Sequence, residues 1–140
     1  MIYVDTSALV PYYCPESLSA RVQQYLARQA ERAISDLVEV EFFSAIARKV
    51  RANELRPMDA QRIRSTMLAH LEARVYVRLP VERRHYALAR DWLASLKPPL
   101  ATLDALHLAI TAIQACPLVT VDATLARAAH VLGVPARVLR

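Results

Sequence analysis

The sequence predicts one α/β domain spanning residues 1–140, a three-layer α/β/α sandwich around a central, mostly parallel sheet. Two patterns and a size argument carry that expectation. Short runs of β-branched and other apolar residues alternate with longer stretches whose apolar residues recur every three to four positions, the signature of strands alternating with helices. Two of the short runs, Ile2-Tyr3-Val4 and Leu118-Val119-Thr120-Val121, lack the polar alternation of a half-exposed strand and fit a sheet covered on both faces. A chain of 140 residues, 55% of them hydrophobic, is also long enough for a real core and too apolar for disorder.

The elements follow in order. Ile2-Tyr3-Val4 reads as the first strand; Asp5 ends it, and Thr6 and Ser7 can cap a helix beginning with Ala8-Leu9-Val10. Pro11 and Pro15 bracket a loop. Leu18 to Ala33 reads as an amphipathic helix with Val22, Tyr25, Leu26 and Ala30 on one stripe, and Ala33-Ile34-Ser35 as a short second strand. Ser35-Asp36 offers the start of a helix that runs to Ala52, and Pro57, as a first-turn proline, opens another through Ile63, Met67 and Leu71.

Val75 to Leu79 alternates as a strand, and Val81 to Leu96 is a helix stopped by Lys97-Pro98-Pro99. Thr102 can cap a helix from Leu103 to Ala115, apolar nearly all round and so buried. Leu118 to Val121 is the next strand, followed by Asp122, a helix from Ala123 to Leu132, and Gly133 as the residue that ends it. Ala136 to Leu139 closes the sheet. With a single glycine in the chain, proline does most of the punctuation. No internal repeat, linker or low-complexity tract interrupts the pattern.

Eighteen basic residues against 13 acidic ones give a formal charge of +5, which favours a polyanionic partner. Cys14 and Cys116 have neither metal-site spacing nor a disulfide framework, so a reducing, cytoplasmic setting is expected. No run approaches the roughly 20 apolar residues of a membrane span. The basic-then-apolar pattern of a signal peptide is also absent, since the opening strand already carries an acid.

Four acids stand in apolar company. Asp5 and Asp122 follow strands, Asp104 lies in Leu103-Asp104-Ala105-Leu106-His107-Leu108, and Glu41 lies in Val38-Glu39-Val40-Glu41-Phe42-Phe43. Singly, each has an ordinary reading: Asp5 and Asp122 as helix N-caps, Asp104 as a first-turn acid, Glu41 as a boundary residue pairing with Arg48. Together they converge. In a parallel sheet the residue after each strand and the first turn of the next helix share one edge, so Asp5, Asp104 and Asp122 meet there. A mid-helix glutamate joins them, although periodicity alone does not choose between Glu41 and Glu39. Hard oxygen ligands without a Cys or His cluster select Mg²⁺ or Mn²⁺.

The stretches Tyr3-Val4-Asp5-Thr6-Ser7-Ala8-Leu9, Ser35 to Glu41, Leu103 to Ala109 and Val119-Thr120-Val121-Asp122, in that order, resemble the four acidic motifs of the PIN domain. The resemblance is strongest to VapC-type toxins of prokaryotic toxin–antitoxin pairs. It implies a Mg²⁺- or Mn²⁺-dependent endoribonuclease with Asp5, Glu41, Asp104 and Asp122 as metal-binding and catalytic residues, and it selects Glu41 over Glu39. It further implies supporting hydroxyls at Thr6 and Thr120, a homodimer, an RNA substrate and a VapB-type antitoxin. Some relatives carry another acid or amide after the last aspartate where this chain has Ala123-Thr124, which leaves one or two ions open.

Other classes answer part of the pattern. A PIN-like DNA nuclease would share the acids and the basic charge. A non-catalytic nucleic-acid or protein interaction module would use the acids as caps. A receiver-type signalling domain needs a late lysine, and none follows Lys97. Arg48, Lys49 and Arg51, or Arg83 and Arg84, are candidate phosphate contacts; Tyr12, Tyr13 and Trp92 are candidate stacking or packing residues. His107, on a nearly all-apolar helix, reads as a core histidine.

Overall fold

A computed structural model describes residues 1–140. The first half runs β1 (Ile2–Val4), α1 (Thr6–Tyr13), α2 (Ser19–Ala27), β2 (Arg32–Ser35), α3 (Asp36–Arg51) and α4 (Pro57–Glu72). The second half runs β3 (Val77–Leu79), α5 (Arg83–Ala94), α6 (Thr102–Gln114), β4 (Leu118–Thr120), α7 (Ala123–Val131) and β5 (Ala136–Val138). The strands form one sheet in the order β3-β2-β1-β4-β5, and every neighbouring pair is parallel. Residues of β1 and β4 are all buried, as a sheet covered on both faces requires. The expected three-layer α/β/α architecture is the one observed.

Register places the site. Tyr3 lies opposite Ala33 on one side and Leu118 on the other, and Val4 lies opposite Val119. The chain leaves β1 to build β2 and β3 on one flank, then returns to set β4 and β5 on the other. The carboxyl ends of β1 and β4 therefore flank the point where strand order reverses, and there the helices diverge to leave a crevice. Asp5 and Asp122 sit just beyond those ends.

Several boundaries differ from expectation for identifiable reasons. Helix α1 starts at Thr6, with Asp5 as its N-cap, and it carries Pro11 inside rather than ending before it. Helix α2 is confined to Ser19–Ala27 because Arg32 already pairs with Ile2 in the sheet. Strand β3 lies at the sheet edge with Val77 and Arg78 exposed, and only Val77–Leu79 pair. Ala101, not Thr102, is the N-cap of α6. Gly133 does take the left-handed conformation after α7 (φ 69°). Asn53, Arg74, Leu96 and Ala115, which follow α3, α4, α5 and α6, do so as well without being glycine.

One core unites the sheet with the helices, and Tyr3, Phe42, Leu9, Leu26 and Ile34 are among its fully buried members. Cys14 and Cys116 are buried and unbonded to each other. Trp92 packs against core residues. No helix is long and apolar enough to cross a membrane.

His85 on α5 is fully buried; its Nδ1 accepts from the Glu82 backbone N–H at 2.8 Å, and its Nε2 has no partner. Burial first, then the Arg84 charge, lowers its pKa below the ordinary histidine value. The unfolded chain therefore takes up this proton near pH ~6.5 while the folded one resists it, so acidification below that value favours unfolding. In His85→Asn the side-chain oxygen can replace Nδ1 as acceptor without titrating. The stability of wild type relative to this variant is expected to fall as pH is lowered through that window; a constant difference would remove His85 as an acid-sensitive element.

Candidate active site

The crevice beyond β1 and β4 is a cleft of about 330 Å³ lined by Asp5, Thr6, Ser7, Glu41, Asp104, His107 and Asp122, with Glu16, Arg48 and Lys49 also on its wall. Each acid comes from a different place. Asp5 caps α1, Glu41 projects from the second turn of α3, Asp104 lies in the first turn of α6, and Asp122 caps α7. The capping and convergent readings of Asp5 and Asp122 hold together. A cap carboxylate accepts from the first N–H groups of its helix and stands where that helix begins, at the carboxyl edge of the sheet.

Asp5 is the most enclosed of the four, at 3% exposure. Its Oδ1 accepts from Ala8 N at 3.0 Å, its Oδ2 from Thr120 Oγ1 at 2.8 Å, and the Ser7 hydroxyl lies 2.9 and 3.0 Å from the two oxygens. Burial pushes its pKa up, and the charge of a protonated His107, followed by the donors from Thr120, Ala8 and Ser7, pulls against that. Three donor groups do not exhaust the roughly four lone-pair directions of a carboxylate. Ser7 also lies 3.0 Å from Thr120 Oγ1 and accepts from Val121 N at 3.1 Å, so the ends of β1 and β4 are tied together through it. Sequence reading placed Ser7 only as a cap; the available signal was a hydroxyl two residues after the acid.

Glu41 Oε1 accepts from Thr6 Oγ1 at 2.9 Å and meets His107 Nε2 at 2.5 Å, while Oε2 has no hydrogen bond. Burial works against this carboxylate, but the hydrogen bond and charge of His107, followed by the Thr6 hydrogen bond, outweigh it and hold its pKa below the usual glutamate value. Glu39 points elsewhere and is clamped in bidentate fashion by Arg78 of β3 at 2.5 and 2.8 Å. Asp122 Oδ1 accepts from Thr124 N and Leu125 N, leaving Oδ2 without a hydrogen bond. Asp104 is half-buried and its carboxylate makes no hydrogen bond; burial, followed by the charges of Asp122 and Glu41, raises its pKa.

Thus Asp5, Glu41, Asp104 and Asp122 share one cleft, with Thr6 and Thr120 hydrogen-bonded to two of them. Arg48 and Lys49 also reach its wall; Lys49 is paired with Glu16 at 2.7 Å. Arg83 lies in a separate groove between α5 and α6, and Tyr12 and Tyr13 in another with His70. No three His, Cys, Asp or Glu side chains are gathered closely enough to ligate one ion together. The donor set itself fits a hard divalent cation: four carboxylates, no thiolate, and unengaged oxygens on Glu41, Asp104 and Asp122.

A parallel α/β/α domain with acids at the strand-order reversal defines a class of carboxylate-cleft α/β proteins. The PIN domain family matches residues 2–131, and the chain belongs to that family. No curated protein matches it by sequence. Among solved structures it is similar to VapC20 of Mycobacterium tuberculosis, described as a sarcin–ricin loop cleaving toxin (TM-score 0.70, 17% identity, covering 91% of this chain and 95% of that one). It is also similar to FitAcB from Neisseria gonorrhoeae (TM-score 0.70, 18% identity, 97% and 96% covered). VapBC2 from Rickettsia felis, bound to a promoter DNA fragment, gives TM-score 0.72 at 14% identity with both chains fully covered. At these identities the likeness is one of fold.

Proposed function

We propose that the cleft is the active centre of a Mg²⁺- or Mn²⁺-dependent endoribonuclease, and that the protein is the toxin of a toxin–antitoxin pair. The observation that carries this reading is the convergence of four carboxylates from four separate elements into one cleft of a basic protein. Family membership and the VapC-type neighbours support it. Asp5, Asp104 and Asp122 would hold the ion directly or through water, with Glu41 completing the shell or orienting the nucleophile. A bound divalent cation there neutralises phosphate charge and makes a water more acidic.

The chain's own residues do the rest. Thr120, Ser7 and the α1 N-terminus hold Asp5 in one orientation. Glu41 is fixed through Oε1, so its free Oε2 can orient a water for in-line attack on phosphorus. The water oxygen forms the new bond, the bond from phosphorus to the 3′-oxygen breaks, and the products are a 5′-phosphate and a 3′-hydroxyl. Arg48, and Lys49 once released from Glu16, would meet flanking phosphates. A homodimer and a VapB-type antitoxin complete the proposed assembly, and cytoplasmic RNA is the proposed substrate.

The test is incubation of the purified protein with pools of structured RNA and DNA in Mg²⁺, Mn²⁺ or EDTA, beside Asp5→Asn of checked folding. Metal-dependent RNA cuts with 5′-phosphate ends, absent in the variant, are expected. Cutting that survives both EDTA and Asp5→Asn would overturn the four-acid centre, and cutting of DNA alone would reassign the substrate.

A further inference from the structure

A buried chain of hydrogen bonds runs beneath the cleft and ends on Glu41. Ser35 Oγ lies 2.8 Å from Tyr3 Oη, Tyr3 Oη lies 2.8 Å from His107 Nδ1, and His107 Nε2 lies 2.5 Å from Glu41 Oε1. Tyr3 and Ser35 are fully buried and His107 is 3% exposed. These partners come from β1, the end of β2 and α6, and the chain terminates on α3.

With His107 neutral, the chemistry of the groups fixes its direction. A carboxylate only accepts, so His107 Nε2 carries the hydrogen. In a neutral imidazole Nδ1 is then bare and accepts, so Tyr3 must donate to it. With its one proton committed, Tyr3 accepts from Ser35, whose oxygen in turn accepts from Val38 N as the N-cap of α3. The relay thus starts at the N-terminus of α3 and returns to a side chain on the same helix. Every hydrogen along it is donated.

We propose that Ser35, Tyr3 and His107 form a directed relay that positions Glu41, locking His107 as the Nε2–H tautomer and presenting Glu41 Oε2 to the cleft. The proposal rests on, and deepens, the nuclease reading. His107 is accordingly a positioning residue: it acts through Glu41, as partners behind a metal-binding carboxylate do. Thr6 holds the same Oε1 from the cleft side, so the two donors fix the carboxylate between them.

Two measurements test this. In the intact, histidine-¹⁵N-labelled protein at mildly alkaline pH, His107 is expected to show a single proton, on Nε2, and in Tyr3→Phe to keep it while Nδ1, having lost its donor, shifts toward the signal of a free ring nitrogen. A proton on Nδ1 alone, or on both nitrogens, would overturn the relay whatever the protein cleaves. In cleavage assays, His107→Leu is expected to lower kcat by roughly 10–100-fold with KM nearly unchanged, and His107→Gln, which keeps a donor, to recover much of it. Adding Glu41→Gln to His107→Leu should cost little more, because the two act as a unit. Losses that multiply would show that His107 does not act through Glu41. If no variant and no wild type cuts RNA while the Nε2–H tautomer is found, the relay stands and the nuclease reading falls.

Discussion

Replacing Asp104 with asparagine is expected to abolish cleavage, a loss of at least about 100-fold, while leaving the fold as stable as before or slightly more so. Even residues that merely support metal ligands cost roughly 10–100-fold when altered, and Asp104 is proposed as one of the ligands themselves. The opposite sign for stability follows from its surroundings. Its carboxylate makes no hydrogen bond and is half-buried; burial first, then the charges of Asp122 and Glu41, raises its pKa against a smaller opposing effect of His107. A raised value means that ionisation at neutral pH works against the folded state, and the amide removes that charge. Because the group is still partly solvated, the gain is at most a few tenths of a kcal/mol, or about 0.5. Paired denaturant titrations and cleavage assays check both halves. Retained activity would remove Asp104 from the centre, and a large loss of stability would show that it supports the fold.

Phe42→Ala is expected to destabilise the protein by about 3–5 kcal/mol, the cost of emptying a well-packed aromatic site. Phe42 is fully buried, and its ring meets Tyr13 at 5.3 Å and Phe43 at 5.4 Å, both nearly edge-to-face. For a domain whose whole stability is of order 5–15 kcal/mol, that is a large share. Phe42 is buried on α3 together with Val38, Ala45 and Ile46, and its neighbour Glu41 lines the cleft. Urea unfolding of the variant measures the loss; less than about 1 kcal/mol would mean the site collapses around the gap and that α3 is held chiefly by other contacts.

The fold was legible in the sequence because burial on both faces leaves a recognisable trace. Ile2-Tyr3-Val4 and Leu118-Val119-Thr120 lack polar alternation, and the helices between them are long and periodic. Boundaries were less legible where two residues compete for one role. Asp5, Thr6 and Ser7 are all good caps, and which one ends the strand depends on the Asp5 N–H donating to the Val119 carbonyl and the Asp5 carboxylate accepting from Ala8 N. At the site, the acids at strand ends could be grouped because topology alone brings them together. Glu39 and Glu41 could not be separated by local pattern. What separates them is Arg78, 39 residues beyond Glu39, and His107, 66 residues beyond Glu41. His107 read as a core residue because its helix is apolar, and it is buried. Its partner Tyr3 lies 104 residues away, where no periodicity can point to it.

The left-handed residues at the helix ends bear on the unfolded chain as much as on the folded one. Asn53, Arg74, Leu96 and Ala115 each hold a left-handed conformation, disfavoured by about 1–2 kcal/mol for Arg74, Leu96 and Ala115 and by less for Asn53, where glycine would sit without strain. Yet a chain with one glycine and eight prolines wanders through fewer backbone states before it folds. Less disorder must then be surrendered on folding, and that saving is spread over every position where a glycine might have stood. The protein thereby trades local comfort at four helix ends for a stiffer disordered ensemble, and its stability is partly written in conformations that never appear in the folded molecule.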